Sequence, residues 1–363
     1  MKRRFSLVAA LTAAALALAA CSSSGSGSAT TTPATSPTTT AASPATSPAG
    51  TGATTGGATG SAPTSPTGPL TDFKIAYGAT SATLIPLYIG MEQGIFAQYG
   101  LNVSMVLLAG TAAPPALASN SVQLAWSGVS DMAGAIVGGA NFTIAGVVYP
   151  WMFFRVYGSK GMTSLADLKG KTIAASTAGS ASDTAINIAM KDTGLVRGKD
   201  YQVTYIGDNP SRIAALANGS VDAILVSPPA AQQAESQGFP DLSNMIKDKV
   251  PYGYGSVGIN KDWASKNKDT LVNWFKAYHD SVLYARNNKQ ASFDVIKNDL
   301  KVTDQSLYQS IFDDSVAVMP EWPVPTADPI KATIQFSSNQ KVVAADPNSL
   351  FDDSYVKAAQ GAS

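Results

Sequence analysis

From Phe73 onward, short and nearly continuous apolar runs alternate with longer segments whose apolar residues recur every three or four positions. The runs at 73–77, 102–108, 122–126 and 142–149 predict strands, and the segments at 86–93, 114–119 and 131–137 predict helices between them. A second series repeats the pattern, with strands at 171–176, 202–206 and 221–226 and helices in the intervals and at 230–237. Runs that are apolar on both faces suit strands covered by helices on both sides. Strict alternation of strand and helix favours parallel sheets, here in two α/β lobes. Beyond about Lys261 the pattern is helical, with Trp263, Trp274, Phe275, Tyr278, Val282 and Leu283 forming a face suited to core packing rather than to a ligand box.

One phrase is written twice. ALASNSVQLAWSG (116–128) and ALANGSVDAILVS (215–227) share Ala-Leu-Ala and Ser-Val in one register, 99 positions apart. Each copy joins the end of a predicted helix to the start of a predicted strand. In the second, Pro210 lies near the helix start, and Asn218-Gly219 closes the helix in a left-handed conformation. The phrase is a helix-turn-strand unit used once per lobe.

The N-terminal residues change the picture. Lys2, Arg3 and Arg4 precede an apolar run too short to span a bilayer, and small residues then lead to Cys21, the pattern of an export signal over 1–20. Leu18-Ala19-Ala20-Cys21 resembles the lipobox of bacterial lipoproteins, in which the cysteine becomes the lipidated first residue. From Ser22 to Pro69 every residue is Ser, Thr, Gly, Ala or Pro, so 21–69 reads as a lipidated cysteine and a disordered tether. A flexible coil of that length spans roughly 35–40 Å, and its Thr/Pro content permits O-glycosylation.

Charge and rare residues then narrow the chemistry. The chain carries 25 basic and 25 acidic residues; without Lys2, Arg3 and Arg4 the balance is slightly acidic, which argues against a nucleic-acid partner. Cys21 is the chain's one cysteine and His279 its one histidine, so disulfides, cysteine nucleophiles and cysteine-based metal sites are excluded from residues 70–363. Asp313-Asp314 and Asp352-Asp353 are adjacent in sequence and read as solvated turns or caps, not as an acid/base pair.

GMEQGIFAQYGLNV (90–103), the two Ala-Leu-Ala phrases, SLADLKGKTIAAS (164–176) and GSVDAILVS (219–227) together resemble solute-binding proteins of bacterial ABC importers, in the branch that serves nitrate, sulfonates, taurine and thiamine-pyrimidine precursors. The resemblance runs from about Phe73 to about Trp274. It implies an α/β, two-lobed periplasmic-binding-protein-like fold (type II), with parallel-rich sheets and a ligand cleft between lobes. Lobe 1 is expected over 70–154 plus 256–363 and lobe 2 over 155–255. Two departures stand out. Ser119-Asn120-Ser121 and Gln123 replace the family's glycine turn and following aspartate. Pro228-Pro229 stands where relatives carry Glu-Pro, which removes a carboxylate that could meet a ligand amine or cation.

In open α/β sheets ligands gather at the carboxyl ends of strands, where helix N-termini present free N–H groups. The loops there are 79–81, 110–112 and 126–130 in the first lobe, and 176–180, 208–209 and 227–228 in the second. The candidate ligand residues are Thr80, Ser81, Thr111, Trp126, Ser127, Ser130, Trp151, Arg155, Thr177, Ser180, Asp208 and Ser227. Each has a bland alternative. Ser180 and Ser182 suit caps of a helix near Asp183, and Ser130 suits the cap of one at Asp131. Trp126, Trp151, Phe153 and Phe154 suit either a stacking wall or hinge packing. Arg155 suits either a ligand acid or a bridge between lobes, and Asp183 and Asp208 suit helix-start acids.

The expectation is a non-enzyme: an extracytoplasmic solute-binding component of an ABC importer, without cofactor or metal. It is a monomer anchored to the cell membrane by lipid, and it passes a small sulfonate-like acid to a permease. A neutral heterocycle, such as a pyrimidine precursor or a flavin-like molecule, and a ligand-sensing lipoprotein are the alternatives. A pyrimidine-synthesising enzyme, whose chemistry needs a histidine-rich, cysteine-bearing site with iron, fits poorly with His279 alone. Metabolic labelling with a lipid precursor is expected to mark the wild-type protein and not Cys21→Ala; equal labelling of both would remove Cys21 as the anchor.

Overall fold

The computed structural model describes residues 68–108, 112–337 and 339–361; the expected signal, Cys21, the tether up to residue 67 and Thr111 lie outside the described residues. In chain order the first lobe holds β1 (Thr71–Tyr77), α1 (Ile85–Glu92), α2 (Ile95–Gln98), β2 (Leu101–Leu107), α3 (Ala113–Ala118), β3 (Leu124–Ser127), α4 (Val129–Val137) and β4 (Phe142–Trp151). The second holds β5 (Arg155–Gly158), β6 (Thr172–Ala175), α5 (Ala181–Met190), β7 (Gln202–Tyr205), α6 (Asn209–Ala217), β8 (Ala223–Val226), α7 (Ala230–Ser236) and β9 (Asp241–Asn244). The chain then returns through β10 (Pro251–Asn260) to α8 (Lys261–Lys266), α9 (Lys268–Asn287), α10 (Lys289–Asn298), α11 (Tyr308–Asp314) and α12 (Ala327–Ile334).

Two five-stranded sheets result, in the orders β2-β1-β3-β10-β4 and β7-β6-β8-β5-β9. Six of the seven strands anticipated from apolar runs pair in parallel, β1 with β2 and β3, and β6 with β7 and β8, while the seventh, β4, pairs only with β10. The crossing strands do the opposite. β10 lies antiparallel to both β3 and β4, and β5 lies antiparallel to both β8 and β9. Helices cover both faces of each sheet, which is why β8 is buried throughout and reads as a continuous apolar run. In lobe 1, Trp274, Phe275 and Tyr278 of α9 are fully buried, and Phe73, Trp274 and Tyr278 form a stack with ring centroids 6.1 and 5.4 Å apart. The C-terminal aromatics are therefore core, as their spacing implied. The opposite face of that sheet packs Leu117, Met132, Ile330 and Ile334.

The repeated phrase folds twice in the same way. Asn120 (φ +56°) and Gly219 (φ +75°), 99 positions apart, occupy the same left-handed turn. Asparagine tolerates that conformation better than other side chains because it is short and polar. The N–H groups of Ser121 and Ser220 donate to Ala116 O and Ala215 O at 3.0 and 2.9 Å. Gln123 Oε1 accepts the Lys74 N–H at 2.7 Å, and Asp222 Oδ2 accepts the Thr172 N–H at 2.9 Å. The substitutions in the first copy thus preserve both the turn and the clasp to the neighbouring strand.

β10 escaped the apolar-run reading because Gly253, Gly255 and Gly258 interrupt it, and glycine weakens a strand unless something approaches closely. Here α4 does. A Cβ on Gly253 would lie 2.7 Å from Val129 Cγ2, and one on Gly258 would lie 2.5 Å from Met132 Cε. Val129 is stiff at χ1 and cannot swing aside as readily as methionine. Gly253→Val is therefore expected to cost about 1–3 kcal/mol through overpacking. Urea denaturation checks this, with Gly219→Ala as a milder comparison costing about 1 kcal/mol through its left-handed φ.

Candidate ligand-binding cleft

Loops at the carboxyl ends of β1 and β8 meet between the lobes. Ser81 and Ser180 hold equivalent places 99 positions apart, and both cap the turn or helix that follows. Ser81 Oγ accepts the Thr83 N–H at 3.4 Å, and Ser180 Oγ accepts the Asp183 N–H at 3.3 Å. Ser176, Ser180 and Ser182 form a triangle of hydroxyls with sides of 2.8–3.0 Å at the start of α5. Asp183 is buried; it accepts the Gly179 N–H at 2.8 Å and pairs with Arg197 at 2.7 Å, which fixes the serine loop. Across the seam the Ala82 N–H donates to Pro228 O at 3.1 Å, so Pro228 contributes a backbone contact between lobes.

Ser130, a candidate ligand residue with a helix cap as its alternative, is not a cap. The N-cap of α4 is Gly128, whose N–H donates to Asp131 Oδ2 at 3.3 Å. The Ser130 hydroxyl instead sits beside Tyr252, and so does that of Thr184 of lobe 2. Two residues along the same strand, Tyr254 sits beside Ser81 of lobe 1 and Ser227 of lobe 2, with Arg212 close by. Each of these two tyrosines of β10 thus has a hydroxyl of either lobe close to it. Ser127 Oγ, Ser130 Oγ, Tyr252 Oη and Arg212 Nε are buried without a hydrogen-bond partner among the described residues. Native proteins rarely leave such groups unpaired, and several in one seam make it the candidate place for polar atoms of a ligand.

The model of the NMT1/THI5-like family matches residues 81–292. The chain belongs to the NMT1/THI5-like family. This stretch of an NMT1/THI5-like chain runs from Ser81, through both lobes, to α10 and contains all of the seam. No curated protein matches the sequence. Among solved structures, the periplasmic aliphatic sulphonate binding protein SsuA from Escherichia coli is similar at 20% identity and a TM-score of 0.63, over 80% of this chain and 99% of that one. The alkanesulfonate-binding protein SsuA from Xanthomonas axonopodis pv. citri, bound to MOPS, is similar at 18% identity and a TM-score of 0.61, over 80% and 98%. The periplasmic nitrate-binding protein NrtA from Synechocystis PCC 6803 is similar at 14% identity and a TM-score of 0.58, over 81% and 89%. The α/β, two-lobed periplasmic-binding-protein-like fold expected from sequence is therefore the fold of this NMT1/THI5-like protein.

The other sequence-derived candidates scatter. Thr80, Thr177 and Asp208 are exposed on the same loops, and Asp208 caps α6 by accepting the Ser211 N–H at 2.7 Å. That bond holds its carboxyl below the usual range. Trp126 is 5% exposed, donates from Nε1 to Thr83 Oγ1 at 3.4 Å and packs on Tyr278. Trp151 lies at the crossing, opposite Pro251 in register, beneath the Lys249 ammonium. His279 stacks on Trp322 with centroids 4.1 Å apart and pairs with Asp280. Among the described residues no group of three or more His, Cys, Asp or Glu side chains could hold a metal ion.

Arg155, the first residue of β5, is held by three carboxylates: Glu235 at 2.9 Å, Asp241 at 3.3 Å and Asp314 at 3.7 Å. Asp314, at the end of α11, also accepts from Gln232 Nε2 of α7 at 2.7 Å, so this cluster ties lobe 2 to the C-terminal helices. Burial raises Asp241 and Asp314 above the usual carboxylate range, against the pull of Arg155. A carboxyl whose pKa is raised in the native state binds its proton more tightly folded than unfolded, so acidification favours the fold. Arg155→Met removes the cation that opposes this rise. Its cost is expected to be largest near neutral pH, a drop of several degrees in Tm, and to shrink as Asp241 and Asp314 protonate. Thermal melts of wild type and variant at about pH 7.5 and about pH 4.5 check the sign.

Proposed function

We propose that this chain is the extracytoplasmic solute-binding component of an ABC importer: it closes its two lobes on a small organic acid, sulfonate-like in its head group, and delivers it to a permease. The observation that carries this is the seam itself, where hydroxyls of both lobes flank two tyrosines of the crossing strand and buried donors lack partners. Ser81, Ser127, Ser130, Ser180 and Ser227 are its donors, set at the ends of strands or starts of helices in both lobes. The relatives described as binding aliphatic sulfonates, alkanesulfonates and nitrate bind anions, which supports an acid. Trp126, the natural platform for a flat heterocycle, is already packed against Tyr278, which disfavours a stacked neutral ligand. The protein does no chemistry on its ligand; it works as a monomer held on the outer face of the membrane through Cys21 and its tether.

Solution scattering and thermal shift with a panel of sulfonates and carboxylates test the reading. A binder is expected to compact the protein, to raise its Tm by mass action and to emerge unchanged. Ser81→Ala in lobe 1 and Ser227→Ala in lobe 2 are each expected to weaken it about tenfold or more, as loss of a hydrogen bond to a charged group does. Chemical conversion of the ligand by the pure protein would make it an enzyme, and indifference to both serine variants would move the site out of the seam.

A further inference from the structure

Four arginines lie among the described residues, and three of them face carboxylates: Arg155 with Glu235, Asp241 and Asp314, Arg197 with Asp183, and Arg286 with Glu321. Arg212 does not. It is 3% exposed and makes no ion pair within 4.0 Å among the described residues. Its Nη1 donates to Ile206 O at 2.9 Å and to Gly207 O at 2.7 Å, and its Nη2 donates to Asn209 Oδ1. Those bonds pin the guanidinium at the end of β7, while Nε is buried and free. The charged or titratable groups around it are Asp208 and Tyr254. Asp208 is exposed and committed to the Ser211 N–H, so it leaves the buried charge largely uncompensated. Burial pushes the guanidinium down to about 10, which keeps it charged at neutral pH. A buried cation without a counter-charge is costly, and native proteins keep one where something else supplies the charge.

We propose that Arg212 is the residue that selects for ligand charge, its free Nε edge meeting one acid group that Tyr254 and Ser227 also face, so that the cleft prefers a monoanion to a neutral isostere or a dianion. The assignment rests on the reading that the seam is the ligand site. One buried positive charge balances one negative charge; a neutral molecule leaves the guanidinium unpaired, and a dianion buries a second charge with no partner. Two of the arginine's nitrogens already hold carbonyl and amide oxygens, so the fork is not offered whole and the head group is met along one edge.

The experiment is calorimetry and thermal shift on the purified protein with alkane- and arenesulfonates and carboxylates, their sulfonamide and carboxamide isosteres, and the matching phosphate monoesters at about pH 8, where these are dianions. Acids are expected to bind at least about 100-fold more tightly than amides or phosphates, the size of a charge-assisted bond in a dry site. Arg212→Gln is expected to lose that advantage, acid binding falling far more than amide binding, so that the two become comparable. Arg212→Lys, which keeps the charge but not the planar edge, is expected to retain selectivity with affinity reduced about tenfold. A role confined to folding would weaken acids and amides alike. If amides or phosphates bind wild type as tightly as acids, or if Arg212→Gln keeps its acid preference, the charge-selection proposal is overturned. In that case, loss of the same ligands in Ser227→Ala and Tyr254→Phe leaves the seam as the site. If no panel member binds, or if binding ignores Arg212, Ser227 and Tyr254 together, both readings fall. Should Arg212→Gln fail to fold, the wild-type ranking of acid, amide and phosphate decides alone.

Discussion

Seating β10 antiparallel between β3 and β4 forces the chain to cross between lobes twice, because that strand arrives from β9 of the other sheet. The arrangement sets much else. It requires glycine where α4 presses on the strand, and it leaves Val129 and Met132 to fill the space a Cβ would have taken. It also carries Tyr252 and Tyr254 to the point where the lobes meet. The strand seated between β3 and β4 thus also runs through the seam, and the packing of lobe 1 and the geometry of the seam cannot be varied independently.

The seam gathers several unpaired buried polar atoms in one place. Many buried polar groups elsewhere are satisfied, Asp183 by Gly179 and Arg197, Thr333 by Pro329 and Gly253, Ser281 by Ala277, although Trp274 Nε1, Arg286 Nε and Asp299 Oδ2 are not. At the seam Ser127, Ser130, Tyr252 and Arg212 Nε all lack partners, and each such group costs on the order of 1–3 kcal/mol while it does. Sites that bind commonly carry this kind of local conflict, with the surrounding fold supplying the stability. The large aromatic core under α9 and the helices on both faces of each sheet are that supply here.

The parallel strands were legible because burial on both faces writes an unbroken apolar run, and the repeated phrase revealed a helix-turn-strand unit in each lobe. The turn survived as asparagine in one copy and glycine in the other, and the clasp survived as glutamine and aspartate, because conformation and hydrogen-bonding geometry matter there more than identity. What escaped notice was the antiparallel pair of crossing strands. β5 is four residues long and begins with an arginine, while β10 is broken by glycines whose purpose is visible only once α4 lies against them. The proposed site divides in the same way. Ser81, Ser130 and Ser227 were candidates from their places at strand ends. Tyr252, Tyr254 and Arg212 were not, since a tyrosine in a glycine-rich stretch and an arginine on a helix with Asp208 nearby both look like surface residues until burial is known. Arg155 drew notice as a charged residue near the crossing, and in three dimensions its partners are Glu235, Asp241 and Asp314.

The pairing of β5 with β9 has a further consequence. Arg155 and Asn244 are register partners, so the chain enters and leaves the second lobe through adjacent strands, roughly one strand spacing of 4.8 Å apart. For the first lobe to form alone, β4 and β10 would have to find each other across a long intervening segment, whose closure as a free coil of about 100 residues costs roughly 4 kcal/mol in chain entropy. A folded second lobe has already brought those ends together. The inserted lobe therefore acts as a folded linker of nearly zero length, and the outer lobe inherits its long-range strand pairing as a local one.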